Sequence, residues 1–183
     1  GKLALGARGG VASYSGDIPQ INFATYYDVN IDIWYHEYLG LNFFYGKGFL
    51  SAEGKIGIRE RYFKTWLWNY TLLMKFKFLP SSPLNPYIGV GYSIIDFDPK
   101  DRDGWRLPNR AREVYDKISY AIPVAMGFSY FLGDRVALTL DGIYHYSGTD
   151  YIDDLDKGDF KDSWVSLAAG LSLYFGKPKD SDN

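Results

Sequence analysis

The chain contains no cysteine, and it also lacks a long hydrophobic run and a large net charge. Without cysteine it can form neither a disulfide nor a thiolate metal site. The longest stretches free of charged residues, 78–95 and 118–133, are interrupted by proline, whereas a membrane-spanning helix needs about 20 consecutive apolar residues. A formal charge of −2 gives no reason to expect nucleic acid as a partner. These absences exclude a disulfide scaffold, a helical membrane protein and a basic nucleic-acid binder.

Aromatic residues are abundant instead. They make up 19% of the 183 residues, led by 17 Tyr and 12 Phe. Amphipathic rings settle at the depth of lipid headgroups, so this surplus is typical of a protein that meets two water–lipid boundaries. A chain of this length forms one domain. The composition therefore favours a single membrane-embedded domain that does not cross as a helix.

Eight segments of the chain alternate large apolar residues with small or polar ones. The segment with the clearest alternation is 65–78. Its aromatic and aliphatic residues occupy the even positions, whereas Asn69, Thr71, Lys75 and Lys77 occupy odd ones. A period of two indicates a half-buried strand. Most of the segments have about the 9–11 residues that a tilted, membrane-spanning strand needs. The segments are 2–11, 23–34, 39–46, 65–78, 87–94, 117–130, 136–147 and 164–175.

The connections between these segments alternate in length. Outer-membrane barrels have short periplasmic turns and long external loops. We therefore predict an all-β fold, an eight-stranded, antiparallel, up-and-down transmembrane β-barrel with both termini on the periplasmic side of a bacterial outer membrane. Pro123 lacks an N–H for the ladder and predicts a bulge. The short connections are 35–38, 80–85 and 132–135, and the long polar ones are 13–22, 47–61, 96–116 and 148–162.

A soluble barrel of the lipocalin type is the structural alternative, because its strands also alternate. In such a barrel the apolar face points inward and the charged residues of the strands are solvated. Seven aromatic or long apolar groups per face would overfill a small lumen, whereas Gly, Ser and Thr fill it well. The pattern therefore favours lipid against the apolar face.

Along each strand, residues of odd and of even number point to opposite faces. This parity of the residue number divides the strand residues into a lumen-facing set and a lipid-facing set. Charges inside a narrow eight-stranded barrel must pair or stay hydrated. We interpret the polar set as a salt-bridged plug that stabilises the barrel. The alternative is a gated path for ions or protons, and the protein would then be a narrow channel of low conductance. The lumen set is Arg8, Asp28, Asn30, Asp32, Asn69, Lys75, Lys77, Asp141 and His145, and the lipid-facing belt is Trp66, Trp68, Tyr70, Phe76, Phe78, Tyr120, Tyr130, Tyr144, Tyr146 and Phe175.

Two motifs carry a family resemblance that extends over nearly the whole chain. They are Asn-Pro-Tyr-Ile-Gly-Val-Gly-Tyr at 85–92 and the closing Gly170-x-x-Leu173-x-Phe175. With them the chain resembles the OmpA/OmpX-like superfamily of eight-stranded outer-membrane β-barrels, in which the closing motif is similar to the signal that marks a final strand for the assembly machinery. Ala168 stands where a polar residue usually opens that signal. The resemblance implies a structural, anchoring or adhesive domain without catalysis or cofactor, in contact with outer-membrane lipid and lipopolysaccharide.

The last residues differ in character from the strands. After a barrel of residues 1–176, the segment 177–183 turns acidic and is rich in chain-breaking residues, as linkers are. Asp180-Ser-Asp182-Asn183 is similar to the opening of the calcium-binding linkers that join barrel and peptidoglycan-binding domain in OmpA-type proteins. This resemblance implies that the chain is the membrane part of such a protein. The protein would then reach peptidoglycan only through a domain absent from this chain. The alternative is a plain polar terminus.

His145-Tyr146-Ser147 is the one segment that suggests catalysis. It is similar to the His-x-Ser segment of outer-membrane lipid A deacylases, in which a Glu on the following strand completes a triad. Here no Glu follows Glu113, and Asp159 is the carboxylate at a plausible distance. The parity also points His145 and Ser147 into the lumen, away from any acyl chain. We therefore predict that the chain is not an enzyme, with a lipid A hydrolase as the alternative.

Two of the long connections are rich in charge. The one at 150–159 is dense in carboxylates, but it lacks the closing Glu of an EF-hand, so we predict no metal site. The one at 101–113 mixes acidic residues and arginines around Trp105. Its arginines suit the phosphates of lipopolysaccharide or a host ligand, and Lys64 is placed by parity for a phosphate headgroup.

Overall fold

All eight alternating segments are β-strands. A computed structural model describes residues 2–15, 21–56, 59–100, 118–147 and 163–176, and strands account for nearly all of them. β-Branched and aromatic residues on one face of each segment favour this pleated conformation. The strands are β1 (Lys2–Ser15), β2 (Ile21–Trp34), β3 (Leu39–Ile56), β4 (Arg59–Lys77), β5 (Leu84–Lys100), β6 (Ile118–Phe131), β7 (Val136–Ser147) and β8 (Ser163–Phe175).

The strands close into one barrel. Each pairs antiparallel with the next along the chain, and β8 returns to pair with β1, from Leu3↔Phe175 to Ser15↔Ser163. A closed sheet has no edge, so its backbone N–H and C=O groups find partners within the sheet where no water is available. The predicted eight-stranded, antiparallel, up-and-down barrel is confirmed. Among the residues described, no helix is long and apolar enough to cross a membrane.

Side chains alternate between the outside of the barrel and its lumen, because successive strand residues point to opposite faces. On β4, Tyr70, Leu72 and Met74 are exposed, whereas Thr71 and Leu73 are completely buried. The other strands divide in the same way, with large apolar side chains outside and mostly small or polar ones inside. The alternative of an apolar interior with solvated charges is therefore wrong. So continuous an apolar exterior is favourable only against lipid.

Three short turns join strands at one end of the barrel. They connect β2 to β3 at 35–38 and β6 to β7 at 132–135, as predicted, and β4 to β5 at 78–83, two residues before the predicted 80–85. Backbone hydrogen bonds close them; the Leu132 N–H, for example, donates to the Val136 carbonyl at 2.9 Å. The start of β1 and the end of β8 lie at this same end, since Leu3 pairs with Phe175. We name it the turn end, and the opposite one the loop end.

The expected loop at 47–61 is largely strand, which corrects the sequence prediction. β3 and β4 continue as a paired hairpin from Lys47↔Trp68 to Ile56↔Arg59. Polar residues mark the point where a strand leaves the apolar band, but the antiparallel ladder continues in water as long as backbone partners remain in register. β5 likewise extends to Lys100, into the segment expected as a loop. The rest of that expected connection, 101–116, and the whole of the one expected at 148–162 lie outside the described residues.

Pro123 does not produce the predicted bulge. The β5–β6 ladder keeps one register on either side of it, from Val90↔Val124 to Ser93↔Ala121, and Pro123 pairs with His145 of β7. The missing N–H therefore falls in a local gap of the β5–β6 ladder, and no extra residue is inserted. A register shift occurs instead between β2 and β3, near Asn22.

Candidate functional site in the barrel lumen

Six charged side chains are buried in the lumen, as far as the structure describes the chain, and their charges balance. The interior of an eight-stranded barrel is just wide enough for side chains to fill. A charge held there without a partner costs several kcal/mol, so each charge requires a compensating contact. None of the six is more than 7% exposed; they are the cations Arg8, Lys75 and Lys77 and the anions Asp28, Asp32 and Asp141.

Arg8 joins three strands across the lumen. Its Nε donates to Oδ1 of Asp28 at 2.8 Å, and its Nη1 donates to Oδ2 of Asp141 at 2.5 Å. The guanidinium also lies over the Phe44 ring, 4.9 Å from the centroid. Asn30 Nδ2 donates to the same Asp28 oxygen at 3.5 Å. A planar guanidinium with two carboxylates is the geometry in which charge-assisted hydrogen bonds are strongest, so this cluster ties β1, β2 and β7 together.

Two glycines make room for the Arg8 cluster. β8 separates β1 from β7, and a Cβ at position 170 of β8 would meet the backbone carbonyl of Ala7 first and would lie 2.6 Å from Cγ of Arg8. A Cβ at position 127 of β6 would meet the backbone carbonyl of Leu140 first and would lie 2.6 Å from Oδ1 of Asp141. Side chains do not approach so closely without displacement. Gly170 and Gly127 therefore leave room both for the backbone of the neighbouring strand and for the ion pairs beside it.

A second ion pair lies nearer the turn end. Lys75 Nζ donates to Oδ1 of Asp32 at 3.2 Å, and the same ammonium lies 4.5 Å from the ring centroid of Tyr87. Both partners of the ion pair are buried. This contact joins β4 to β2 across β3.

Lys77 has aromatic rings around it in place of a carboxylate. Its Nζ lies 3.6 Å from the ring centroid of Trp34, 5.5 Å from that of Tyr174 and 5.9 Å from that of Phe131. Trp34 and Tyr174 belong to a buried cluster with Ala4 and Ala137, against which Phe131 packs. This aromatic layer covers the lumen at the turn end.

His145 is completely buried in the lumen on the loop side of the Arg8 cluster. Its ring stacks on Trp164, with centroids 4.4 Å apart and planes inclined by 7°. Its Nε2 lies 3.5 Å from Oγ of Ser166. Asn69 and Tyr26 are also buried in the lumen, where both side chains converge over Gly46.

The structure does not assemble the candidate catalytic group at the lipid surface. His145 lies in the lumen, stacked on an indole, with a serine as its hydrogen-bonding neighbour. The backbone of Ser147 belongs to β7 and pairs with Ala121, but its side chain and all of Asp159 fall outside the described part. Residues 150–159 and 177–183, expected as an acidic loop and a linker, are also outside it.

Several lumen residues that complete these contacts are missing from the predicted set. Trp34, Phe131 and Tyr174 surround Lys77, and Phe44 lies against Arg8. Each of them stands at a position whose odd or even number points into the lumen on its strand. That parity was the available signal, and the predicted set kept only charged, amide and imidazole side chains.

The residues of the predicted belt lie on the outside of the barrel. Trp66 and Trp68 are partly exposed near the loop end, where the Lys47 ammonium lies 5.7 Å and 5.2 Å from their ring centroids. Neighbouring rings on the outer face contact each other. The ring centroids of Phe76 and Phe78, for example, are 5.5 Å apart. The exposed members are Tyr70, Phe76, Phe78, Tyr120, Tyr130, Tyr144, Tyr146 and Phe175.

Solved structures share this fold along nearly the whole chain, although no protein-family model and no curated protein matches the sequence. Neisserial surface protein A (NspA) gives a TM-score of 0.66 at 18% identity, over 96% of this chain and 99% of that one. The outer-membrane protein OprG from Pseudomonas aeruginosa gives 0.62 at 15% identity, over 95% and 96%. The N-terminal β-barrel domain of Pseudomonas aeruginosa OprF gives 0.57 at 14% identity, over 95% and 97%. By fold, the chain is an eight-stranded β-barrel of the outer-membrane type, with an apolar outer face and a lumen filled by side chains.

Proposed function

We propose that the chain is a structural barrel of the bacterial outer membrane that anchors a longer protein there, without catalysis and without steady conduction. The observation that carries this proposal is the filled lumen. Arg8 bridges Asp28 and Asp141, Lys75 pairs with Asp32, and aromatic layers lie on either side of these pairs. A lumen closed by paired charges stabilises the wall and leaves no open path.

The outer surface supports outer-membrane lipid and lipopolysaccharide as partners. Trp66 on β4 and Phe78, the first residue after it, are twelve residues apart, which corresponds to about 30 Å along the axis of a barrel with strands tilted by ~40°. Rings at these two levels suit the two boundaries of the hydrocarbon layer. Lys47 adds a cation beside Trp66 and Trp68, at the level of lipopolysaccharide phosphates in a barrel whose turns face the periplasm.

Recording from the purified barrel in a planar lipid bilayer tests the closed lumen. We expect no steady, salt-proportional conductance from the natural sequence. The matched variant replaces Arg8, Asp28 and Asp141 by serine, which removes the salt-bridged cluster, and it should conduct measurably more. Steady conductance of the unaltered barrel would contradict the proposal and favour the narrow channel.

Incubation with lipid A tests the absence of catalysis. The mass of lipid A should remain unchanged after prolonged incubation with the folded barrel, because His145 lies in the lumen beside Trp164. Loss of an acyl chain that disappears in the His145→Gln variant would contradict the proposal and favour the lipid A hydrolase.

We propose further that a domain following this chain binds peptidoglycan, as the OmpA-type resemblance implies. The solved OprF barrel is an N-terminal domain, so a barrel of this fold can be one part of a longer protein. The full-length protein, taken from its own cells, should sediment with purified peptidoglycan, whereas residues 1–176 alone should not. Failure of the full-length protein to sediment would refute the tethering role.

The β3–β4 hairpin supports adhesion as a second candidate function. Its ladder continues at the loop end, beyond the level of Trp66, to Ile56↔Arg59, and so presents a paired arm outside the apolar band. Replacing residues 53–62 by a two-residue Asn-Gly turn would shorten that arm between the opposed residues Ala52 and Phe63. Bacteria that display the shortened barrel should attach less to their target surface. Unchanged attachment at equal surface expression would exclude this role for the hairpin.

A further inference from the structure

A cavity of about 560 Å³ opens at the turn end of the barrel. Its wall combines residues of the turns at 35–37 and 80–81 with residues of five strands, among them Trp34, Lys77, Phe131 and Tyr174. Ligand pockets in proteins have volumes of about 300–1,000 Å³ and are lined by aromatic groups with a few polar ones. The turn-end cavity has this size and this lining.

Lys77 supplies a buried cation to the cavity wall. The side chain is almost fully buried, and within the described part of the barrel it makes no salt bridge. The neighbouring Asp32 is bound to Lys75. Three ring faces compensate part of the charge through cation–π contacts. An ammonium group has three donors, and no carbonyl or carboxylate of the described barrel accepts a hydrogen bond from this one.

Trp34 supplies a second donor to the same wall. Its indole Nε1 is buried and has no hydrogen-bond partner among the described residues, as is also the case for Trp164 elsewhere in the lumen, whereas buried indoles usually have one. Trp34 and Lys77 are in contact, since the ammonium lies over the indole ring. The cavity wall therefore contains two adjacent residues, Lys77 and Trp34, each with a donor that has no acceptor among the described residues.

The remaining wall is apolar and aromatic, and its net charge favours an anion. Phe131 and Tyr174 contact each other with ring centroids 4.9 Å apart. Lys2 is a second cation on the wall. The acidic residue Glu37 also lines the cavity, but it has an interaction partner of its own.

We propose that the turn-end cavity binds a small organic anion, whose acidic head pairs with Lys77 and the Trp34 indole N–H and whose flat apolar body lies against Phe131 and Tyr174. A carboxylate or phosphate accepts hydrogen bonds from both donors and neutralises the buried ammonium. The aromatic walls exclude water from this contact and so strengthen it.

Calorimetric titration of the detergent-solubilised barrel with 4-hydroxybenzoate tests the site, with neutral 4-hydroxybenzyl alcohol as the comparison ligand. We expect the acid to bind about tenfold more tightly or better, since a hydrogen bond to a charged group contributes about 1.5–3 kcal/mol. Lys77→Gln should weaken binding of the acid by a similar factor, and Trp34→Phe should weaken it severalfold. Lys47→Gln is the matched control, because Lys47 also lies over indole rings but far from this cavity. Equal binding of acid and alcohol, or of Lys77→Gln and Lys47→Gln, would overturn the proposal.

An NMR measurement on the unaltered protein keeps the test independent of how the variants fold. The indole N–H resonance of Trp34 should shift on addition of 4-hydroxybenzoate and not on addition of the alcohol. No shift with either 4-hydroxybenzoate or phenyl phosphate would overturn the proposal.

The same titration in zwitterionic nanodiscs, with and without phosphatidylglycerol, separates two sources of the anion. Displacement of the acid by phosphatidylglycerol would assign the site to a lipid headgroup, and unchanged binding would assign it to a soluble anion.

Discussion

Replacing Arg8 by methionine should destabilise the barrel by about 3–5 kcal/mol, because it leaves two carboxylates unpaired in the lumen. Asp28 and Asp141 are almost fully buried, and Arg8 donates one hydrogen bond to each. Each such bond to a charged group contributes about 1.5–3 kcal/mol, so the two together give about the same loss. Methionine keeps a long, flexible side chain against Phe44, so the loss reflects charge and not volume.

Urea unfolding in phosphatidylcholine vesicles, followed by tryptophan fluorescence, measures this loss. With a slope of about 2 kcal/mol per molar urea, a loss of about 4 kcal/mol lowers the midpoint by about 2 M. The matched variant combines Arg8→Met with Asp28→Asn and Asp141→Asn, and it should regain most of the stability because no buried charge is left alone. The reasoning is refuted if Arg8→Met unfolds at the same urea concentration as the natural sequence. It is also refuted if the triple variant is no more stable than Arg8→Met.

Two further predictions concern the outer face and the lumen glycines. Leu72→Arg should destabilise the barrel in vesicles by about 2–4 kcal/mol, since Leu72 lies near the middle of the apolar band. Asp134→Arg, in the exposed turn, is the control and should leave the stability unchanged. Equal urea midpoints for the two variants would argue against lipid at Leu72. Gly170→Ala should cost about 1–3 kcal/mol in the same assay, because the new Cβ meets the backbone carbonyl of Ala7 first and also lies 2.6 Å from Cγ of Arg8. Gly133→Ala, where a Cβ meets no atom within 4 Å, is the control, and a Gly170→Ala midpoint equal to that of Gly133→Ala would contradict the packing argument.

The alternation of residues was sufficient to predict the strands and the orientation of their side chains. Leu72 and Thr71 are neighbours in sequence, and the structure exposes the first and buries the second. The extent of the β3–β4 hairpin could not be predicted in the same way. Its polar residues indicate where the strands leave the apolar band, whereas the end of pairing depends on backbone partners, which continue to Ile56↔Arg59.

The contacts of the candidate site were only partly accessible from the sequence. Parity predicts that Arg8, Asp28 and Asp141 share the lumen, and Asp28 lies directly opposite Arg8 in the β1–β2 register. Asp141 is 133 residues away in sequence and lies on a strand that does not neighbour β1. Which charges pair therefore depends on the closure of the barrel and on the space left by Gly170. The cation–π contacts of Lys77 depend on the same closure, because Trp34 and Tyr174 come from opposite ends of the chain.

Spin labels at successive positions of β4 test most directly whether the apolar face contacts lipid. The chain contains no cysteine, so single-cysteine variants at residues 70–74 each carry one label. In lipid vesicles, collisions of the label with molecular oxygen, which concentrates in hydrocarbon, should be frequent at Tyr70, Leu72 and Met74 and rare at Thr71 and Leu73. Uniform or inverted collision rates along these five positions would contradict the account, as would a polypeptide that stays folded in buffer without lipid or detergent.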